Sequence, residues 1–417
     1  MRVLIVNTSE KTGGAAVAAS RLVEALINNG VKAKMLVMKK QTPAIYVASA
    51  GSRYRNLFNF LYERLAIWVH NCFHKKDLFS VSIANTGIDI TKTNEFKEAD
   101  IIHLHWINQG MLSLKGIRKI LNSGKPVVWT MHDMWECTAI CHSPYTCENY
   151  KRECGNCQFL RCSGPKDLSY SILRKKQKIL SGSKVQFVAV SNWLARKARE
   201  SSLLCHQPIT VIPNTISLSK FVLKDRNGSR SQLQLPYKYI IAFGAARIDA
   251  PVKGLTYLIE ALAYLIDHNI IRQDDIHLVL FGGIKSQDIL QDVPIGYTYM
   301  GEIKDEDGLS TIYSAANVVV SSSLSETFGQ TLIEAQACGC LPVSFNNSGQ
   351  TDIIEHKVNG FLADYLSVES LARGIEWGLK TEISRKELRN SVIRKYSEGI
   401  VAGKYIELYN NFAGIEA

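Results

Sequence analysis

Two short segments in the second half of the chain carry side chains suited to handling a sugar joined to a diphosphate. The first is GAARIDAPVKGL, in which Arg247 and Lys253 stand six residues apart on one loop. Two cations on one loop can clamp a diphosphate and neutralise its charge as it leaves; the alternative is a solvated basic pair. The second is SSLSETFGQTLIEAQACG, which sets Glu326 and Glu334 eight residues apart across a strand end, a glycine turn and a helix start. Glu326 then lies at a loop mouth and Glu334 about one turn into a helix opening near Gly329. Both carboxylates can point into one cleft, one toward sugar hydroxyls and one toward a ribose. Near the N-terminus, TSEKTGGAAVAASRL places Gly13 and Gly14 where a loop opens a helix. There, backbone N–H groups and the helix N-terminus can approach phosphate oxygens, although such a glycine pair is often only conformational.

These residues need a scaffold that brings loops together, and the hydrophobic pattern predicts one. In the first half, RVLIV (2–6), AKMLVM, DIIHLHW (100–106), KPVVWTMHD (125–133) and KVQFVAVS (184–191) are short apolar runs. Helical patterns at 13–30 and 111–123 lie between them. Continuous apolar strands alternating with helices predict a parallel sheet covered on both faces. The second half restarts the pattern with 239–248, a helix at 254–268, 277–283, YTYMGEI, 317–323, a helix at 331–338 and LPVSFNN. The expected fold class is therefore α/β, with two doubly wound Rossmann-like domains whose ligands sit beyond the C-terminal strand ends. The expected division is 1–215, 216–390 and a helical tail at 391–417 able to pack back across the hinge at VIPNTISLSKF.

Composition limits the function classes. A hydrophobic content of 46% with 21% charged residues describes an ordinary globular protein. The apolar run at the N-terminus is too short for a signal peptide, and no stretch reaches the roughly 18 apolar residues of a membrane span, which together predict a cytoplasmic chain. Net charge is +11, and residues 1–215 hold 30 Lys and Arg against 14 Asp and Glu. That surplus suggests an anionic ligand or surface for the first half. The segment 52–76 mixes Arg, Lys, Tyr, Trp and Phe at helical spacing, as a helix at a membrane interface or a core helix with a charged rim would.

Taken together, ETFGQTLIE, RIDAPVK and the TGGAA loop resemble glycosyltransferase family 4, and VIPNTI and NNSGQTDIIEHKVNGFL (346–362) extend the resemblance over nearly the whole chain. The resemblance implies a retaining GT-B enzyme that uses a nucleotide sugar, UDP- or GDP-linked, with its two domains facing a central cleft. It assigns the donor sugar to Glu326, the ribose to Glu334 and the diphosphate to Arg247 and Lys253. The backbone of Gly329, Gln330 and Thr331 would support sugar and phosphates, with Gly13 and Gly14 approaching from the other domain. His132 would stand beside the reacting sugar; His103 and His105 end the preceding strand, and His103 reads as a satisfied core histidine. No Asp-x-Asp signature occurs at a strand end, so no cofactor is expected for catalysis. The implied acceptor is a growing saccharide or a polyprenyl-diphosphate-linked sugar of a capsule, O-antigen or similar polysaccharide. The enzyme would then be cytoplasmic, with a peripheral place on an anionic inner membrane face. A GT-B epimerase and a zinc-bearing nucleic-acid-binding protein are the rival classes, and no nucleic-acid partner is expected.

Residues 137–162 hold six of the ten cysteines. Cys154 and Cys157 have the spacing at which two thiolates reach one zinc, and Cys141 and Cys147 supply a second pair. This set also resembles an insert after HD-x-W in some polysaccharide glycosyltransferases. Structural zinc is the expectation, with disulfides or free thiols as alternatives. Cys137 and Cys162 are left over, and His142 is a substitute ligand. The insert would brace a lid next to His132.

Overall fold

The computed structural model describes residues 1–414. The chain divides into two units, Met1–Pro213 with the segment from Val401, and Asn214–Ile400. The second unit thus runs to Ile400 rather than ending near 390, and the expected 391–417 tail is split between the two. Its last three positions lie outside the described residues.

In the first unit, β1 (Arg2–Val6), β2 (Lys32–Val37), β3 (Val47–Ser49), β4 (Ile101–Leu104), β5 (Val127–Met131), β6 (Val185–Ala189) and β7 (Ile209–Val211) form one sheet. Its order is β3-β2-β1-β4-β5-β6-β7, with every pairing parallel. The order reverses direction between β1 and β4, whose C-terminal ends therefore open the crevice where such sheets take ligands. Helix α1 (Gly14–Asn28) follows β1 and buries Leu22, Val23 and Leu26 against the sheet.

The helix Glu398–Ala413 closes this unit. Val401, Ala402, Tyr405 and Tyr409 are buried in the same core as Ile5, Leu22 and Val188. At about 1.5–3 kcal/mol for each large apolar side chain removed from water, this last element is integral to the first unit's stability.

Helix α2 (Arg53–His70) departs from the usual amphipathic rule. It buries Asn56, Asn59, Glu63 and Arg64, with Ile67 the one fully buried apolar side chain, and leaves Tyr54, Leu57, Phe58, Leu61, Leu65 and Val69 exposed. The reading of 52–76 as a core helix with a charged rim is thereby corrected. Apart from Ile67, what faces inward is polar, because it satisfies backbone groups of the loops beneath.

In the second unit, β8 (Tyr239–Arg247), β9 (Ile276–Gly283), β10 (Tyr297–Tyr299), β11 (Val318–Ser321), β12 (Leu341–Phe345) and β13 (Phe361–Ala363) form a parallel sheet ordered β10-β9-β8-β11-β12-β13. Its reversal falls between β8, which ends on Arg247 and leads to Lys253, and β11, which precedes Glu326. Among the described residues no helix is long and apolar enough to cross a membrane.

Candidate active site

Lys253 and Glu326 are 73 residues apart in sequence, yet Lys253 Nζ lies 2.6 Å from Glu326 Oε2. Local backbone geometry makes the pair. Gly254 adopts φ +67°, and a Cβ there would stand 2.1 Å from the carbonyl oxygen of Ser322. The loop after β8 can therefore lie directly on the loop after β11. Leu324 N–H donates to Val252 O at 2.8 Å and the Ser322 hydroxyl donates to Gly254 O at 2.7 Å, fixing the register of the two loops.

A third loop holds Glu326 from the other side. The Ser348 hydroxyl accepts from Glu326 N–H at 3.0 Å, and Gly349 N–H donates to Glu326 O at 2.7 Å. A Cβ on Gly349 would meet Thr327 O at 2.2 Å, so this close approach also requires glycine. Asn347 donates to Leu324 O, and Gln350 donates to Asn347 while accepting from Ser321. Ser348 and Gly349 were legible only as part of the NNSGQTD resemblance; nothing in their residue types announces that they cradle a carboxylate's backbone.

Gly329, Gln330 and Thr331 stand where expected. Gly329 is the N-cap of the helix Gln330–Ala337 and supplies no capping side chain, while Gln330 and Thr331 are partly exposed. The first N–H groups of a helix have no intrahelical acceptor, and the dipole adds partial positive charge there. Gly13 and Gly14 make the corresponding start of α1 in the first unit; a Cβ on Gly13 would meet nothing within 4 Å, so that loop is open.

Two residues differ from the simplest reading. Glu334 is 6% exposed, and its carboxylate accepts from the Tyr313 hydroxyl at 3.4 Å. Burial and the nearby carboxylate push the Tyr313 phenol well up, so it stays a donor. Arg247 does not stand as a lone cation beside Lys253. Its guanidinium pairs with Asp249, both contacts 3.2 Å. Burial pushes the Asp249 carboxyl up, but Arg247 and the Lys285 N–H outweigh it and hold the group below its usual range. Asp249 was missed, although an acid two residues from an arginine on one loop is the signal that finds it.

In the first unit, His132 directly follows β5. His132 Nε2 and His105 Nδ1 are 2.8 Å apart, with the rings stacked at 5.0 Å. His105 Nε2 is buried and has no hydrogen-bond partner among the described residues. One of the two facing nitrogens donates and the other accepts, so the contact locks the two rings in mutual orientation. Burial pushes His132 down to about 4 although Asp133 opposes the shift, so the ring is neutral near pH 7.

His103 is fully buried between Thr130, at 2.8 Å, and Tyr409 of the last helix, at 2.7 Å. Tyr405 completes the chain by bonding Thr130 at 2.9 Å. Asp133 accepts from Trp106 Nε1 at 2.7 Å and Trp135 N–H at 2.7 Å, and it pairs with His142 Nδ1 at 2.8 Å. Burial raises the Asp133 carboxyl, and His142 with these N–H groups pulls it below its usual range. His142 is thus turned to Asp133 and, through Nε2, to Ser82. Its expected role as a substitute cysteine-site ligand is corrected.

Cys141, Cys147, Cys154 and Cys157 are free thiols lining one cavity of about 20 Å³, room for a single water or small ion. Burial raises Cys141 to about 12 and Cys157 to about 11, and the neighbouring thiols push in the same direction. Among the described residues, no three His, Cys, Asp or Glu side chains already converge as a coordination sphere. Cys162 is not left over: it is bonded to Cys72, just beyond α2, which ties that helix to the insert. Cys137 is buried, with its thiol 4.0 Å from Met131 Sδ. Lys176 anchors the start of the insert by donating to Trp135 O at 2.6 Å and Thr138 O at 3.0 Å.

A model of Glycosyltransferase Family 4 matches residues 12–220, and a model of Glycosyl transferases group 1 matches 225–395. The chain belongs to glycosyltransferase family 4. This family 4 glycosyltransferase is 25% identical over 361 residues to an uncharacterized glycosyltransferase of Methanocaldococcus jannaschii, covering 79% of this chain and 89% of the relative. It is 24% identical over 267 residues to the capsular polysaccharide biosynthesis glycosyltransferase CapM of Staphylococcus aureus, over 61% and 68% of the two chains. Among solved structures, sucrose-phosphate synthase from Thermosynechococcus elongatus matches with a TM-score of 0.67 at 18% identity over 100% of both chains. Anabaena HepE, in complex with UDP and glucose, matches at 0.64 and 16% over 99% of this chain and 100% of its own. The family 4 fold is therefore GT-B, with two parallel-sheet α/β units, and the chain is a glycosyltransferase.

Proposed function

We propose that the protein transfers a sugar, with retention of anomeric configuration, from a nucleotide sugar to a saccharide or polyprenyl-diphosphate-linked acceptor in cell-surface polysaccharide synthesis. The observation that carries this reading is the Lys253–Glu326 pair, set at the ligand-binding end of the second sheet beside the helix N-terminus at Gly329. It places a cation, a hydroxyl acceptor and backbone donors together, as a glycosyl diphosphate requires.

In this reading, Lys253 and Arg247 bind the diphosphate, with Asp249 orienting the arginine. Glu326 accepts from donor-sugar hydroxyls and Glu334 from the ribose. The bond between the anomeric carbon and the phosphate oxygen breaks, and the nucleoside diphosphate leaves with its charge stabilised by the two cations and the N–H groups of Gln330 and Thr331. The acceptor hydroxyl attacks from the face the phosphate leaves and gives its proton to that phosphate. Neutral His132, oriented by its contact with His105, hydrogen-bonds the sugar or the acceptor. CapM is named for capsular polysaccharide biosynthesis, and HepE was crystallised with UDP and glucose; both support this assignment of donor and acceptor class.

The test is incubation with UDP- and GDP-sugars, following released nucleotide and a lengthened acceptor. The nucleotide of the true donor is expected to raise the unfolding temperature. A purely isomerised sugar nucleotide, or no nucleotide release with any donor, would overturn the reading.

We also propose that Cys141, Cys147, Cys154 and Cys157 hold one structural zinc. The four free thiols line one cavity of single-ion size and match zinc in donor type and number; a bound zinc would take them as thiolates and hold the insert together. About one zinc per chain is expected by elemental analysis, with a lower unfolding temperature after chelation. A ratio near zero in chelator-free protein would refute it.

A further inference from the structure

We propose that α2 docks the protein on the surface of an anionic lipid bilayer. Most surface helices turn apolar residues inward; α2 turns in four polar side chains and only Ile67 among its large apolar ones fully. Glu63, fully buried, accepts the backbone N–H groups of Ile83 and Ala84 at 2.9 and 2.8 Å. Arg64 donates to Val81 O at 3.1 Å and to Leu78 O, and Asn56 donates to Ala50 O at 2.9 Å. These bonds hold the helix onto the first unit by its polar face.

The outward face is apolar. Tyr54, Leu57, Phe58, Leu61, Leu65 and Val69 recur at three- and four-residue spacing and are between 45% and 84% exposed. Phe73 and Phe79 continue the exposed apolar surface beyond the helix end. Scattered exposed apolar residues are ordinary, but a continuous stripe along 18 residues is the mark of a surface that meets something apolar.

Charge identifies the partner. Arg53 and Arg55 are exposed at the start of α2, and Lys75 and Lys76 are exposed just past its end. Glu63 is the one acid between residues 52 and 76, and it is buried. A second copy of the chain would bring basic ends against basic ends in either orientation of the helix pair, a like-charge juxtaposition that opposes docking. Anionic headgroups neutralise both ends while the acyl boundary receives the apolar stripe, so the helix lies in the interface plane. The surplus of positive charge over residues 1–215 acts in the same direction. The docking does not depend on which sugar is moved.

The experiment is co-sedimentation of the full chain with vesicles of phosphatidylglycerol and phosphatidylethanolamine, and separately of phosphatidylcholine. The chain is expected to pellet with the anionic vesicles and to bind phosphatidylcholine far more weakly. The combined variant Leu57→Gln, Leu61→Gln, Leu65→Gln is expected to bind roughly tenfold or more weakly. The charge variant Arg53→Glu, Arg55→Glu is expected to weaken binding to the anionic vesicles alone. Both variants should keep the parent's circular dichroism and unfolding temperature, since all five side chains are exposed. The proposal is overturned if the chain stays in the supernatant with both vesicles, or if the triple variant binds as the parent does. It is equally overturned if the parent is a dimer that ignores vesicles and the triple variant is a monomer, since a second copy would then be what covers the face.

Discussion

Lys253 and Glu326 illustrate how a single pair of side chains can serve both folding and chemistry. Their ion pair is partly exposed, so it contributes little to stability, on the order of 0–1 kcal/mol. Replacing either partner should therefore leave the fold intact while removing a group from the reacting centre. Lys253→Met and Glu326→Gln are each expected to lower kcat/KM by roughly 100-fold or more with an unchanged unfolding temperature. Near-parental turnover in either variant would remove that residue from the site. The histidines carry a second prediction. Burial pushes His103 down to about 3 and His132 down to about 4. Their neutral forms belong to the folded state, so this stability is fully present above pH 6.5. It is lost as pH falls from there toward 4, because only the unfolded chain takes up protons readily. For His103 alone the loss between pH 7 and pH 5 is about 2 kcal/mol. Urea unfolding at the two pH values measures it, and equal stability at both would contradict the assignment.

At the scale of elements, the site is made by three loops that approach more closely than side chains allow. Gly254 lies against Ser322 O and Gly349 against Thr327 O, and neither contact tolerates a Cβ. Gly254→Ala combines a positive φ with a clash against backbone, and is expected to cost about 1–3 kcal/mol. It should also displace Lys253 from Glu326, so that protection by nucleotide falls along with stability. Full protection in that variant would separate Lys253 from nucleotide binding. The strands followed closely from the apolar runs: RVLIV became β1 with the same bounds, Arg2–Val6. The edge strands β3, β7 and β13, three residues each, were not foreseen; three residues show no period by themselves, and β10, equally short, was read only as part of the longer run YTYMGEI. Helix α2 was left between two readings because helical spacing tells which residues share a face, not which face looks inward. That choice was made by Ile83, Ala84 and Val81, whose backbone groups need polar partners.

For the whole molecule, the chain's last helix matters most. Tyr405 and Tyr409 are buried in the first unit, and Tyr409 hydrogen-bonds His103, 306 residues away. Truncation before Glu398 would uncover Val401's neighbours in that core and leave His103 and Thr130 without these partners. Such a chain is expected to be largely insoluble or to unfold at least about 10 °C lower, read by soluble yield and thermal melting. A truncated chain as stable as the parent would show that this helix is dispensable.

The alternation of apolar runs and helices, the R-x5-K and E-x7-E spacings and the cysteine spacing are local patterns, and they were sufficient for two doubly wound units, glycosyltransferase family 4 and a candidate cysteine site. Periodicity and spacing are properties of neighbours along the chain, so a sequence carries them openly. The partners of each group were decided by tertiary structure. Asp249 on Arg247, Tyr313 on Glu334, His142 on Asp133 rather than among the cysteines, and Cys162 on Cys72 all depend on which atoms meet when loops close. So does the outward apolar face of α2. Burial and unsatisfied backbone groups exist only once the chain has folded, and they decided what each side chain was left to face.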